Sequence, residues 1–229
     1  MNLHHLLLQD VQLDTAAVEM KQESFVSIIA NSGFIGIAIV LVIFVLSGYA
    51  LYIFIERYST IKKAADIDQN FMANIRTSVQ NGNIEAARAL CANTDSPVAR
   101  MLEKGLMRIG KPLKDINAAI ENVGNLEVIK LEKNLANLAT ISGAAPMIGF
   151  FGTVTGMISA FYEMSTQENI TPDVLAGGIY QALLTTAFGL FVGIFAFITY
   201  NYLVSLVGKV IFQMEARSSE FMDLLQEPA

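Results

Sequence analysis

Long uncharged stretches separated by mixed-charge segments set the plan of this chain. Ser24 to Ile55, Asn134 to Tyr162 and Val174 to Gly208 each lack Asp, Glu, Lys, Arg and His. About 20 apolar residues in helical form cross the hydrocarbon core of a bilayer, so three membrane-spanning helices are predicted, at residues 34–55, 138–161 and 179–207. Between the first two, residues 56–137 read as a helical domain. Residues 1–33 form an N-terminal segment, 162–178 a connecting loop and 208–229 a tail.

The segment after the first span has helical stripes and clear punctuation. Ile61, Ala64, Ala65, Ile67, Phe71, Ile75 and Val79 continue the apolar face of span one, so that helix is expected to run on as far as Gln80. Asn81-Gly82-Asn83 ends it and offers a cap for the next helix. Ser96-Pro97 supplies a cap followed by proline at the first helical position, and Gly110-Lys111-Pro112 breaks the chain again. From Leu113 the apolar positions Ile116, Ile120, Val123, Leu131, Leu135 and Leu138 lead into span two. One helix is expected from Leu113 to Phe161, on the order of 70 Å long, with Gly124 its weak point.

Composition agrees with a membrane protein: 53% of residues are hydrophobic and 16% charged. Of the 15 Lys and Arg, all but Lys21, Lys209 and Arg217 lie between Glu56 and Asn137, and the 162–178 loop has none. The positive-inside bias therefore places residues 56–137 and 208–229 in the cytoplasm, and the N-terminal segment and the 162–178 loop on the opposite side. A net charge of −6 with no compact basic patch gives no support for nucleic-acid binding. The start, MNLHHLLLQD, has no basic n-region and only three consecutive leucines, so it reads as a retained segment rather than a secretory signal. It suits either an interfacial amphipathic helix around Leu3, Leu6, Leu7 and Val11 or a polar tail.

Candidate chemistry is sparse. Cys91 is the single cysteine, flanked by Ala89, Leu90 and Ala92, and reads as a buried small side chain; no intrachain disulfide or CxxC site can form. His4 and His5 are the only histidines, and no cofactor or metal is implied. Ion paths through membranes are usually marked by an intramembrane ionisable residue, and these spans have none. Any titrating group must then come from a partner.

The spans do carry small residues and hydroxyls. Gly149, Gly152 and Gly156 with Ala160 form one small face of span two, and Thr185, Gly189 and Gly193 one of span three. Such faces let backbones approach closely, either within one chain or between chains, and their density favours an oligomeric bundle. Thr153, Thr185 and Thr186 either bond their own helix carbonyls or line a wet cavity. Pro146 kinks span two and removes the donor to the carbonyl of Ser142, which could also serve such a cavity.

The stretch Ala144-Ala-Pro-Met-Ile-Gly-Phe-Phe-Gly-Thr-Val-Thr-Gly-Met-Ile-Ser-Ala-Phe161, with Leu175-Ala-Gly-Gly-Ile-Tyr-Gln-Ala-Leu-Leu-Thr-Thr-Ala-Phe-Gly-Leu190 and Tyr200-Asn201, resembles the MotA/TolQ/ExbB proton channel family. Three spans with an outward N-terminus look like ExbB or TolQ, whereas MotA has four. The resemblance implies an all-α membrane protein assembled as a homo-oligomeric, pentameric ring in the inner membrane of a Gram-negative bacterium. An ExbD-like or TolR-like single-span partner would carry the proton-binding Asp, and a TonB-like or TolA-like protein would be driven. It further implies pore-lining roles for Thr153 and Thr186, with Thr185 as an additional hydroxyl. The sequence departs from many members in having Gln181 in place of Glu and Phe195 in place of proline, which removes a possible acidic relay at Gln181.

Three classes of function follow from these residues. A motor subunit requires a partner and a ring, a self-sufficient transporter requires binding groups at mid-membrane, and a scaffold requires neither. Uncharged spans weigh against the transporter. The hydroxyls and the specific motif weigh against the scaffold, and for a motor the resemblance implies a setting in nutrient import, envelope integrity or motility.

Overall fold

The computed structural model describes residues 33–68, 70–166 and 172–226, and these are helical apart from short turns. In chain order the helices are α1 (Gly33–Ala65), α2 (Phe71–Gln80), α3 (Ile84–Ala92), α4 (Pro97–Leu106), α5 (Leu113–Leu131), α6 (Leu135–Thr166) and α7 (Pro172–Gln226). Three of the described stretches are long and apolar enough to cross a membrane, lying in α1, in α5 and α6, and in α7. Residues 1–32, including His4, His5 and the leucines near the start, lie outside the described residues.

Helices α6 and α7 form the most extensive pairing in the molecule. They run antiparallel, since Gly149 meets Gly189, Gly156 meets Ala182 and Ala160 meets Gly178. Helix α1 packs on both, with Phe54 edge-on to Phe195 and Tyr58 stacked on Tyr202 at 6.3 Å. The outer faces carry exposed Phe44, Met147, Phe150, Phe151, Phe191 and Phe197. An apolar surface of this extent suits hydrocarbon rather than water.

Below the spans, α2, α4 and α5 pack against the continuation of α7, and α3 packs on α2 and α4. Gly105 of α4 is the point of closest approach: a Cβ there would lie 2.8 Å from Ile120 of α5 and 2.9 Å from Phe221 of α7. The stretch read as a tail is helical as far as Gln226, and Met214, Phe221 and Leu224 contribute to the core of this lower bundle. Capping follows the sequence signals. The Asn83 side chain accepts from the Ala86 amide and Ser96 from the Ala99 amide, both at 3.1 Å, with Pro97 opening α4.

Two long helices expected from the sequence are each divided. Helix α1 ends at Ala65, and Asp66 to Asp68 turn before α2, although Ile61, Ala64, Phe71 and Ile75 all reach the core as the stripe requires. An apolar stripe survives a turn that restores its phase, so periodicity does not reveal the break. The helix expected from Leu113 to Phe161 is interrupted at Glu132 to Asn134, where Asn134 adopts φ 64°. Asn is among the few non-glycine residues that enter this left-handed region readily. Gly124 lies inside α5, its bare Cα under the Met101 side chain, and does not break the helix.

Candidate functional site

The site is the contact between α6 and α7 at mid-span. It exists because glycines remove side chains where the two backbones cross. A Cβ on Gly189 would lie 2.6 Å from the Ala145 carbonyl oxygen and 2.9 Å from Cα of Gly149; one on Gly152 would lie 2.6 Å from the Thr185 hydroxyl. Gly156 faces Ala182, and Gly193 fits against the Pro146 ring and the Ser142 carbonyl oxygen. All five glycines are thus used inside one chain, which withdraws them as an argument for contacts between chains. The carbonyl of Ser142, deprived of a donor by Pro146, is covered by Gly193 rather than opened to a cavity.

Close approach lets threonine hydroxyls reach across to the other helix. The Thr186 hydroxyl donates to the Gly149 carbonyl at 3.0 Å, and the Thr153 hydroxyl lies 3.1 Å from the Ala182 carbonyl. The two hydroxyls also contact each other. Thr185 is more deeply buried and bonds chiefly to Ala182 in its own helix at 2.7 Å, with a longer contact of 3.4 Å to Gly149. Thr155 and Thr199 bond carbonyls of their own helices. Of the span hydroxyls, Thr153 and Thr186 are the pair set apart by mutual cross-helix bonding, and both remain partly accessible. Gln181, half-buried, precedes Thr185 by one helical turn on the same face.

Hydrogen counting defines what this pair can do. Each hydroxyl has one proton and can accept two bonds. The acceptors within reach are the two carbonyls and the hydroxyl oxygens themselves, so two protons serve more acceptors than they can satisfy together. A neighbouring group is able to accept a hydrogen bond from one of the hydroxyls, or donate one to a hydroxyl oxygen, after a simple rotation of the C–O bond. No charge need form on either threonine.

A second polar cluster lies below the spans, and in the sequence its members stand out only as topology markers. Arg57 and Glu127, 5% and 3% exposed, are the buried charged side chains among the described residues. Arg57 of α1 pairs with Glu56 and donates to the Lys130 carbonyl of α5 at 3.0 Å. Glu127 accepts from Arg100 of α4 and from Lys130, each at 2.7 Å. Burial raises the proton affinity of the Glu127 carboxyl, but bonds and charges of Arg100 and Lys130 outweigh it and hold the carboxyl below its ordinary value. Burial opposes the charge on Arg100, and its bonds to Glu127 and Asp95 overcome that, raising its pKa. The Glu127 to Lys130 spacing is the available sequence signal, but an i,i+3 pair is common on exposed helices and does not reveal burial.

Cys91 lies in the α3 core, where burial, with a smaller contribution from Glu103, pushes its thiol up to about 12. Among the described residues no group of three His, Cys, Asp or Glu could hold a metal ion.

The fold and site define a helical membrane protein whose crossing segments pair through glycines and carry hydroxyls but no acid or base. Residues 93–216 match the MotA/TolQ/ExbB proton channel family, a stretch that covers Thr153, Thr186 and the crossing of α6 and α7. The chain belongs to that family. The Tol-Pal system protein TolQ of Haemophilus influenzae is 35% identical over 145 residues, 63% of this chain and 58% of that protein. TolQ of Pseudomonas aeruginosa is 32% identical over 57% of this chain and 62% of its own. The biopolymer transport protein ExbB of Xanthomonas campestris pv. campestris is 30% identical over 47% of this chain and 43% of its own. The chain therefore spans between 43% and 62% of the length of these curated relatives.

Proposed function

We propose that this chain is the ring-forming subunit of a proton-driven motor in the inner membrane of a Gram-negative bacterium. Its N-terminal segment faces the periplasm, and residues 56–137 and the end of α7 face the cytoplasm. A pentamer of the chain encloses the membrane helix of an ExbD-like or TolR-like partner. The partner's Asp carries the proton, and the wall contributes Thr153 and Thr186, with Thr185 behind them and Gln181 one turn away.

One observation carries this reading: a pair of cross-bonded, partly accessible hydroxyls in spans that lack any ionisable residue. A carboxylate in a low-dielectric cavity is costly to ionise unless hydrogen bonds stabilise it. The hydroxyl pair can donate to the ionised partner and accept from the protonated one, so the same wall serves both states. Proton flow through that cycle energises a TonB-like protein for transport across the outer membrane. A second reading, in which the chain drives a TolA-like protein for envelope integrity, rests on the TolQ of Haemophilus influenzae, 35% identical over 63% of this chain.

The test is co-reconstitution. Proteoliposomes holding this chain with its single-span partner should acidify internally under a potential, and replacement of the partner's membrane Asp by Asn should abolish the flux. Equal flux with the Asn partner would overturn the reading. Complementation of ExbB-deficient or TolQ-deficient cells then separates the two settings.

A further inference from the structure

The buried charges near the membrane exit converge on the bend between α5 and α6. Lys130 lies in the last turn of α5, whose final carbonyls have no intrahelical donor. Arg57 of α1 supplies one to the Lys130 carbonyl at 3.0 Å. Glu127, one turn earlier, ties the Lys130 ammonium to Arg100 of α4. Glu132 to Asn134 follow at once, with Asn134 in the left-handed region, and span two begins with α6.

We infer that Arg57, Glu127 and Lys130 form a clamp that holds the end of α5 against α1 and α4 and, with Asn137 of α6 donating to the Tyr49 hydroxyl of α1 at 3.1 Å just beyond the bend, fixes the angle at Asn134 and makes span two move together with span one and the α4 end of the lower bundle. The inference does not rest on the proposed proton path. Charged groups withdrawn from water need well-placed partners, and the partners here belong to three helices. Displacing α4 or α1 would strip Glu127 or Arg57 of a partner, whereas moving the three helices as one body keeps every bond. Arg57 and Glu127 are positioning residues in this scheme and touch no proton carrier.

Amide hydrogen exchange of the full chain in lipid nanodiscs tests the clamp. In the unaltered protein, amides 131–136 should exchange more slowly than those of the largely exposed turn at residues 66–68, and faster exchange at the bend would overturn the inference. Arg57→Gln and Glu127→Gln should each speed exchange several-fold at 131–136 while leaving α3 and the centre of α6 unchanged. Arg217→Gln, which removes an exposed pair with Glu220, should change nothing at the bend. A rise spread evenly over α2 to α4, or none at the bend, would show a merely structural role. If Arg57→Gln does not fold, Arg57→Lys and Lys130→Met are read by the same criterion beside the unaltered chain.

Discussion

The hydroxyls of Thr153 of α6 and Thr186 of α7 contact each other, and each lies within hydrogen-bond distance of a carbonyl of the other's helix. That reciprocity distinguishes them from Thr155, which turns back on Phe151 in its own helix at 3.0 Å. A hydroxyl satisfied by its own backbone contributes little beyond packing, whereas one held across a contact is positioned.

Thr153→Val and Thr186→Val keep side-chain size and delete the hydroxyl. Interhelical hydrogen bonds in membranes contribute about 0.6 to 2 kcal/mol each, so the helix pair should persist while the motor slows. The measurement is partner-dependent transport beside an assembly check, with Thr155→Val as the control expected to retain activity. Full activity in the double Val variant would remove both threonines from the pore.

The glycines divide into two groups by what surrounds them. Gly189→Ala places a Cβ 2.6 Å from the Ala145 carbonyl, and overpacking of this kind costs about 1–3 kcal/mol. A Cβ on Gly143 would meet no atom within 4 Å, so Gly143→Ala should instead stabilise its helix by about 0.5–1 kcal/mol. Thermal unfolding in detergent should move in opposite directions for the two variants. A shift of the same sign in both would contradict the assigned contacts.

The number of spans and most helix starts were legible because charge exclusion, Asn83, Ser96 and Pro97 act locally. The bend at Asn134 was not, since it lies beside the Arg57 contact with Lys130, which joins residues far apart in sequence. The threonines were recognisable by family resemblance, but only the antiparallel pairing of Gly149 with Gly189 shows which of them cross-bond. Small residues alone could not tell contact within the chain from contact between chains.

Cys91 should be inert in the folded chain. With its thiol pushed up to about 12, the thiolate fraction at neutral pH falls about a thousandfold below that of an ordinary cysteine near 9.0. Maleimide labelling should therefore be slow until denaturant is added. The sign for stability follows from the same shift: above about pH 9 the unfolded chain loses this proton while the folded one keeps it, so stability falls as pH rises from 9 toward 12. Rapid labelling of the native protein would place Cys91 outside the core.

Proton flux should require the partner and not this chain alone. The three spans contain hydroxyls, amides and aromatic rings but no Asp, Glu, Lys, Arg or His. A hydroxyl pair can pass hydrogen-bond polarity to a neighbouring acid, but it offers no site at which an excess proton is stored in a low-dielectric surrounding. Liposomes holding only this chain should thus show the leak of empty liposomes under an imposed pH gradient. Adding the single-span partner should raise the flux, and Thr153→Val with Thr186→Val should lower it again without dissociating the complex. Sustained, gradient-driven proton uptake by the isolated chain would mean that water in its own wall carries the proton, and the partner's acid would lose its assigned role.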